Sequence, residues 1–138
     1  MKSIAFAIAT LVTLTALPAQ AAQPVAGRWI TVDGKAIVNI APCGKALCGK
    51  IEKLLKPTPG RAPTDTENSD PALRSRPLVG LPLLTDFSDA GEHWKGTIYD
   101  PESGKSYKSK ISRNPNGTLK VQGCIAFLCK TQTWTPMR

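Results

Sequence analysis

Four cysteines stand in two pairs of identical spacing, Cys43…Cys48 and Cys124…Cys129, each pair enclosing four residues. What such pairs can do depends on the compartment, because thiols of exported chains oxidise while cytosolic thiols stay reduced or hold metal. The start of the chain speaks to this. Met1 and Lys2 precede an apolar run from Ile4 to Leu17 broken only by threonines, followed by Pro18 and the small-residue triplet Ala19-Gln20-Ala21. That order of charge, short apolar run and A-x-A triplet reads as a secretory signal peptide, residues 1–21, with the cut expected after Ala21. The run is too short to span a bilayer, no cysteine follows the triplet to take a lipid anchor, and no later run approaches membrane-spanning length. The expectation is a periplasmic or secreted protein that is not membrane-spanning; an uncleaved N-terminal anchor is the alternative. Oxidised cysteines follow from export, with a tetracysteine zinc site as the competing use.

Four cysteines allow three connectivities. A hairpin whose loop holds four residues sets its flanking positions opposite each other at a separation that suits a disulfide, which predicts the local pairs Cys43–Cys48 and Cys124–Cys129. Bonded partners across a hairpin point the same way, so the pairing also assigns faces. Outward Cys48 leaves Leu47, Gly49 and Ile51 inside; outward Cys43 leaves Ala36, Val38 and Ile40 inside. Outward Cys124 turns Leu119 and Val121 inward, and outward Cys129 turns Leu128, Lys130, Gln132 and Trp134 inward.

The rest of the chain after residue 21 carries apolar residues at spacing two, punctuated by Gly, Pro, Asn and Asp, with little helical periodicity. Strands are expected near 27–32, 35–42, 47–55, 78–87, 92–99, 105–113, 118–123 and 128–134. The turns Asp33-Gly34, Asp100-Pro101-Glu102-Ser103-Gly104 and Asn114-Pro115-Asn116-Gly117 join several of them. Residues 56–77 hold five prolines among charged and small polar residues, and read as a long loop. Removing 21 of 138 residues leaves 117, enough for one domain. The fold class expected is all-β: a small antiparallel up-and-down barrel of about eight short strands, with a two-sheet sandwich as competitor.

Laid out on those strands, the words Gly27-Arg28-Trp29, Asp33-Gly34-Lys35, Pro42-Cys43-Gly44, Leu47-Cys48-Gly49-Lys50-Ile51, Ile98-Tyr99-Asp100-Pro101 and Thr131-Gln132-Thr133-Trp134 resemble the family of uncharacterised exported bacterial proteins called DUF2147. The loop pattern Asn68…Asp70-Pro71…Leu73-Arg74…Arg76-Pro77-Leu78…Gly80 belongs to the same likeness, which runs from about residue 26 to 135. The resemblance implies a lipocalin-like barrel and brings no established activity or site. The end of the chain, Thr135-Pro136-Met137-Arg138, departs from the pattern, where a basic residue is expected directly after Thr135. Gly27-x-Trp29 looks like the signature of lipocalin-type barrels, in which the Trp plugs one end beneath a basic side chain of the last strand. Lys130 is the expected partner here and Arg138 the second choice.

Neither catalysis nor a cofactor is expected. His93 is the one histidine, no Ser-His-Asp set assembles, and Asp and Ser fall mainly in turns. Asp65, Glu67, Asn68 and Asp70 crowd the long loop but lack the twelve-residue calcium pattern, so no metal is expected and turn and capping roles in a solvated loop are. Two binding readings remain. Interior positions Trp29, Trp94, Tyr107, Lys130, Gln132 and Trp134 would surround a small apolar ligand, although eight strands leave an interior just wide enough for side chains and a filled barrel is the favoured expectation. Alternatively, Lys95, Lys108, Lys110 and Lys120 would form an external patch for an anionic envelope component, in keeping with a net charge of +8. Nucleic acid is not an expected partner, since no binding motif is present.

Overall fold

The computed structural model describes residues 3–4, 8–18 and 20–138. Met1 and Lys2 of the charged start, residues 5–7 of the apolar run and Ala19 of the triplet lie outside the described residues, and the described part of 3–21 forms no strand or helix. Among the described residues no helix is long and apolar enough to cross a membrane. The strands are β1 (Gly27–Ile30), β2 (Ala36–Cys43), β3 (Ala46–Leu54), β4 (Pro82–Asp89), β5 (Trp94–Asp100), β6 (Lys105–Arg113), β7 (Leu119–Ile125) and β8 (Leu128–Pro136). Each pairs antiparallel with the next, and β8 returns to β1 through Trp29↔Pro136 and Ile30↔Thr135, closing a barrel. Closure settles barrel against sandwich, and it leaves no free sheet edge among these strands.

Period-two alternation puts Val38, Ile40, Leu47, Ile51, Ile111, Leu119 and Val121 into one buried core. The inward rows derived from the cysteines are buried on β2, β3 and β7, but on β8 only Trp134 is buried, while Leu128, Lys130 and Gln132, expected inside, are exposed where that strand runs out to the barrel's end. Asp33 and Gly34 both take positive φ, the conformation that favours Asp-Gly at a turn.

The expected start of β4 at Leu78 is displaced to Pro82. Residues Leu78–Leu81 instead make a turn, in which Leu81 N–H donates to Leu78 O, and Gly80 N–H donates to Ile51 O at 2.7 Å. β4 is also bulged, with Asp86 at φ +57 and register shifts against both neighbours. A bulge re-aims the next side chains. Phe87 and Leu84 are both driven into the core, and the space is made by glycines on the flanking strands. A Cβ on Gly49 would stand 2.8 Å from Leu84 Cδ1, and one on Gly96 would stand 2.5 Å from Phe87 Cδ2 and 2.6 Å from Thr85 O.

The connections alternate between the two ends of the barrel. Hairpins β2–β3, β4–β5 and β6–β7 share one end; the β1–β2 turn, the long β3–β4 loop, the β5–β6 turn and the β7–β8 turn share the other.

Candidate functional site

The first of these ends is sealed. Residues 22–25 lie across it, and four successive backbones are held by side chains from the barrel. Ala22 N–H donates to both carboxylate oxygens of Asp89 at 3.1 Å. Gln23 O accepts from Trp94 Nε1, Pro24 O from Arg113 Nε and Val25 O from Trp29 Nε1, each at 2.9 Å. Val25 and Trp29 are buried beneath this seal, and the Arg113 guanidinium lies 5.0 Å from the Trp29 ring centroid. Such a cation–π contact contributes about 0.5–2 kcal/mol. The cation is therefore supplied by β6, where the sequence reading assigned Lys130 or Arg138. Lys130 is six residues along β8 from Pro136, the residue paired with Trp29, a separation of about 20 Å in extended chain. Arg113 ends β6 at the sealed end, at the level of Trp29. Position 136, where a basic residue was expected, is a proline that pairs with Trp29 itself.

The other end is open. A cavity of about 480 Å³ enters the barrel there, within the range of small-molecule sites. Val38, Ile51, Leu83, Ile98 and Trp134 form its apolar depth, and Gln132 is its polar group, accepting from Trp134 Nε1 at 3.1 Å. The rim is charged. Lys35 and Glu102 pair at 2.7 Å across the β1–β2 and β5–β6 turns, and Lys56 Nζ donates to Asp33 O at 2.7 Å. Exposed pairs of this kind add little stability, so the rim is held together weakly. The cavity occupies the mouth of the barrel, and Val38, Ile51 and Trp134 at its floor are buried among the core side chains. Of the six interior positions named from sequence, Gln132 and Trp134 line the cavity. Trp29 and Trp94 belong to the sealed end, Tyr107 packs beside Gly123 away from the cavity, and Lys130 is exposed.

One side of the mouth is walled by the Pro-rich loop, which is ordered around a single carboxylate. Asp65 is 0% exposed. Its Oδ1 accepts from Tyr99 OH at 2.6 Å; its Oδ2 accepts from Asn68 Nδ2 at 2.8 Å and from Arg76 at 2.9 Å, whose guanidinium also lies over the Tyr99 ring. Burial works to raise the Asp65 pKa, but the hydrogen bonds from Tyr99, Asn68 and Arg76 and the Arg76 charge outweigh it, so the group sits below its ordinary value. Tyr99 moves up, through burial first and then its bond to the carboxylate. Asp70 caps the short turn at Pro71–Leu73 by accepting from Ala72 N–H, as its turn role predicted. Asp65 and Asn68, expected in a solvated loop, are instead buried. The sequence signal that was missed is the pairing of Asp65 with Arg76, legible only once Tyr99 is placed beneath both.

Outside the wall, Lys95 and Lys110 stand directly opposite each other on β5 and β6, Lys108 is two residues along the same face, and Lys120 follows on β7 opposite Ser112. None of the four has an acidic partner among the described residues. Both cysteine pairs are bonded: Cys124 directly faces Cys129, while Cys43 and Cys48 are offset around the two-residue turn Gly44-Lys45.

Residues 27–136 match a family described as an uncharacterized protein conserved in bacteria, DUF2147. Among solved structures, this fold is similar to protein HP1028 from the human pathogen Helicobacter pylori, described as belonging to the lipocalin family. The TM-score is 0.72 at 23% identity, covering 83% of this chain and 84% of that one. At that identity the likeness is one of fold. No curated protein matches the chain.

Proposed function

The chain belongs to the DUF2147 family, and from that premise we propose that it is an exported, non-enzymatic barrel that holds one small apolar ligand in its open-ended interior. The observation that carries this reading is the cavity: sealed at one end, apolar in its depth, with Gln132 as an orienting polar group and charges confined to the rim. Two bonded cysteine pairs support an oxidising compartment. The sealed end supports removal of residues 1–21. Ala22 N is already within 3.1 Å of both Asp89 oxygens, so a cut after Ala21 would set the new α-ammonium against a carboxylate. Trp134 lies in the cavity wall and is the built-in reporter. Titration with a medium-chain fatty acid should change tryptophan emission with an affinity that salt barely alters, because an enclosed apolar contact is not screened. An unchanged spectrum, with no fatty acid retained after gel filtration, would sink the reading.

A second reading rests on the four lysines of the outer wall. It makes that face a contact for an anionic envelope polymer, and its association should weaken steeply with salt.

A further inference from the structure

The β7–β8 hairpin ends in Ile125-Ala126-Phe127-Leu128, and its large side chains face solvent: Ile125 is 68%, Phe127 90% and Leu128 70% exposed. Turns ordinarily carry Gly, Asn, Asp or Pro. The fold itself does not require apolar residues there. The β2–β3 hairpin has the same Cys-x4-Cys spacing and is also bridged by a disulfide, there between offset positions, yet its turn is Gly44-Lys45. Behind the apolar tip, Cys124 faces Cys129 and is bonded to it, so the tip is held out as a fixed projection.

Cations surround it. Lys108 is paired across from Cys124 and Lys130 across from Gly123, and Lys105 and Lys108 border the same outer groove as Ile125 and Ala126. None of the three lysines is in an ion pair among the described residues. The tip is also at the open end of the barrel, with the β1–β2 and β5–β6 turns that rim the cavity.

We infer that the open end of the barrel docks on an anionic lipid bilayer, with Ile125, Phe127 and Leu128 inserted at the headgroup–acyl boundary and Lys105, Lys108 and Lys130 against headgroup phosphates. An apolar projection ringed by cations matches the two components of interfacial binding, buried apolar area and attraction to anionic lipid. A protein partner is less well matched. A stable interface buries more than about 1,000 Å² of complementary surface, whereas this is a narrow convex point on a barrel with no open edge to pair with. Docked this way, the cavity mouth faces the lipid. The inference goes beyond the ligand reading and does not depend on it, since vesicle binding and cavity occupancy are read separately.

Residues 22–138 contain every strand, both disulfides and all of the buried core among the described residues, so that processed chain is the form to test. Flotation with vesicles of phosphatidylglycerol and phosphatidylcholine should carry it, and phosphatidylcholine alone should carry far less. Phe127→Ser with Leu128→Ser, both at exposed positions, should lower partitioning at least about tenfold while leaving the circular dichroism spectrum unchanged. Lys105→Gln with Lys130→Gln should lower it as well, whereas Lys95→Gln with Lys120→Gln, near the sealed end, should have little effect. In Phe127→Trp the introduced indole should shift to the blue on anionic vesicles and be quenched by lipids brominated along the acyl chain. Failure to bind anionic vesicles overturns the inference. So does a double-serine variant that binds like the parent, or an indole that the brominated chains leave unquenched.

Discussion

Asp65 is a fully buried carboxylate paired with the partly exposed Arg76, and its position makes the Pro-rich loop responsive to acid. Its folded-state pKa lies below the ordinary 3.8, so the stability it contributes is present above about that pH and is lost as pH falls further through the folded value. Tyr99 runs the other way. Raised above 10.0, it contributes stability that is lost as pH rises through its folded pKa. Asp65→Asn keeps the shape but removes the charge facing Arg76, whose side chain is one-third exposed and partly recovers by solvation. The expected cost at neutral pH is about 1–3 kcal/mol in urea unfolding, and the gap between variant and parent should narrow below about pH 4 as the parent's carboxylate protonates. A gap constant from pH 7 to 2.5 would mean that the carboxylate's charge is not what orders the loop. The residues of this network are visible in the sequence, but their purpose is not. Tyr99 is 34 positions from Asp65, and nothing local in a Pro-rich stretch says that its acid will be buried under an arginine.

At the scale of elements, the cysteine spacing was the most legible feature, because a hairpin disulfide fixes register and period two then propagates a face along each strand. The same logic failed for Lys130. Lys130 is exposed near the start of β8, six residues before Pro136, the residue level with Trp29, so alternation along the strand did not place it beside that ring. The seal of residues 22–25 leaves no mark in the sequence, since a short segment with no periodicity is held by backbone carbonyls and any sequence supplies those. Its one specific side-chain acceptor is Asp89, which predicts a dependence on processing. In the chain beginning at Ala22, Asp89→Asn should lower the unfolding free energy by about 1 kcal/mol, the loss of an ammonium–carboxylate pair near the surface. In the unprocessed chain, where Ala22 N is an amide, the same substitution should cost less. Thermal unfolding of the four proteins checks it, and equal shifts in both forms would show that the α-amino group makes no such pair.

For the whole molecule, strand count and closure set the width of the interior, but whether it is filled depends on which inward positions happen to be large and what caps each end. Here one end is closed by Trp29, Arg113 and residues 22–25, so bulk is spent there, while the inward positions toward the mouth include Ala36, Gln132 and Ile98. Ile98 is half-buried, lines the cavity, and is paired with Leu84 on one side and Tyr107 on the other. Enlarging it adds volume where there is empty space, which avoids the roughly 1–3 kcal/mol that overpacking a filled core costs. Ile98→Trp should therefore leave the melting temperature within a few degrees of the parent, while fatty-acid binding falls at least about tenfold because the indole occupies the ligand's volume. Vesicle binding through the β7–β8 tip should be untouched, since Ile125, Phe127 and Leu128 do not line the cavity. Undiminished fatty-acid binding in a folded Ile98→Trp protein would place the ligand outside the barrel and turn attention to the lysine face.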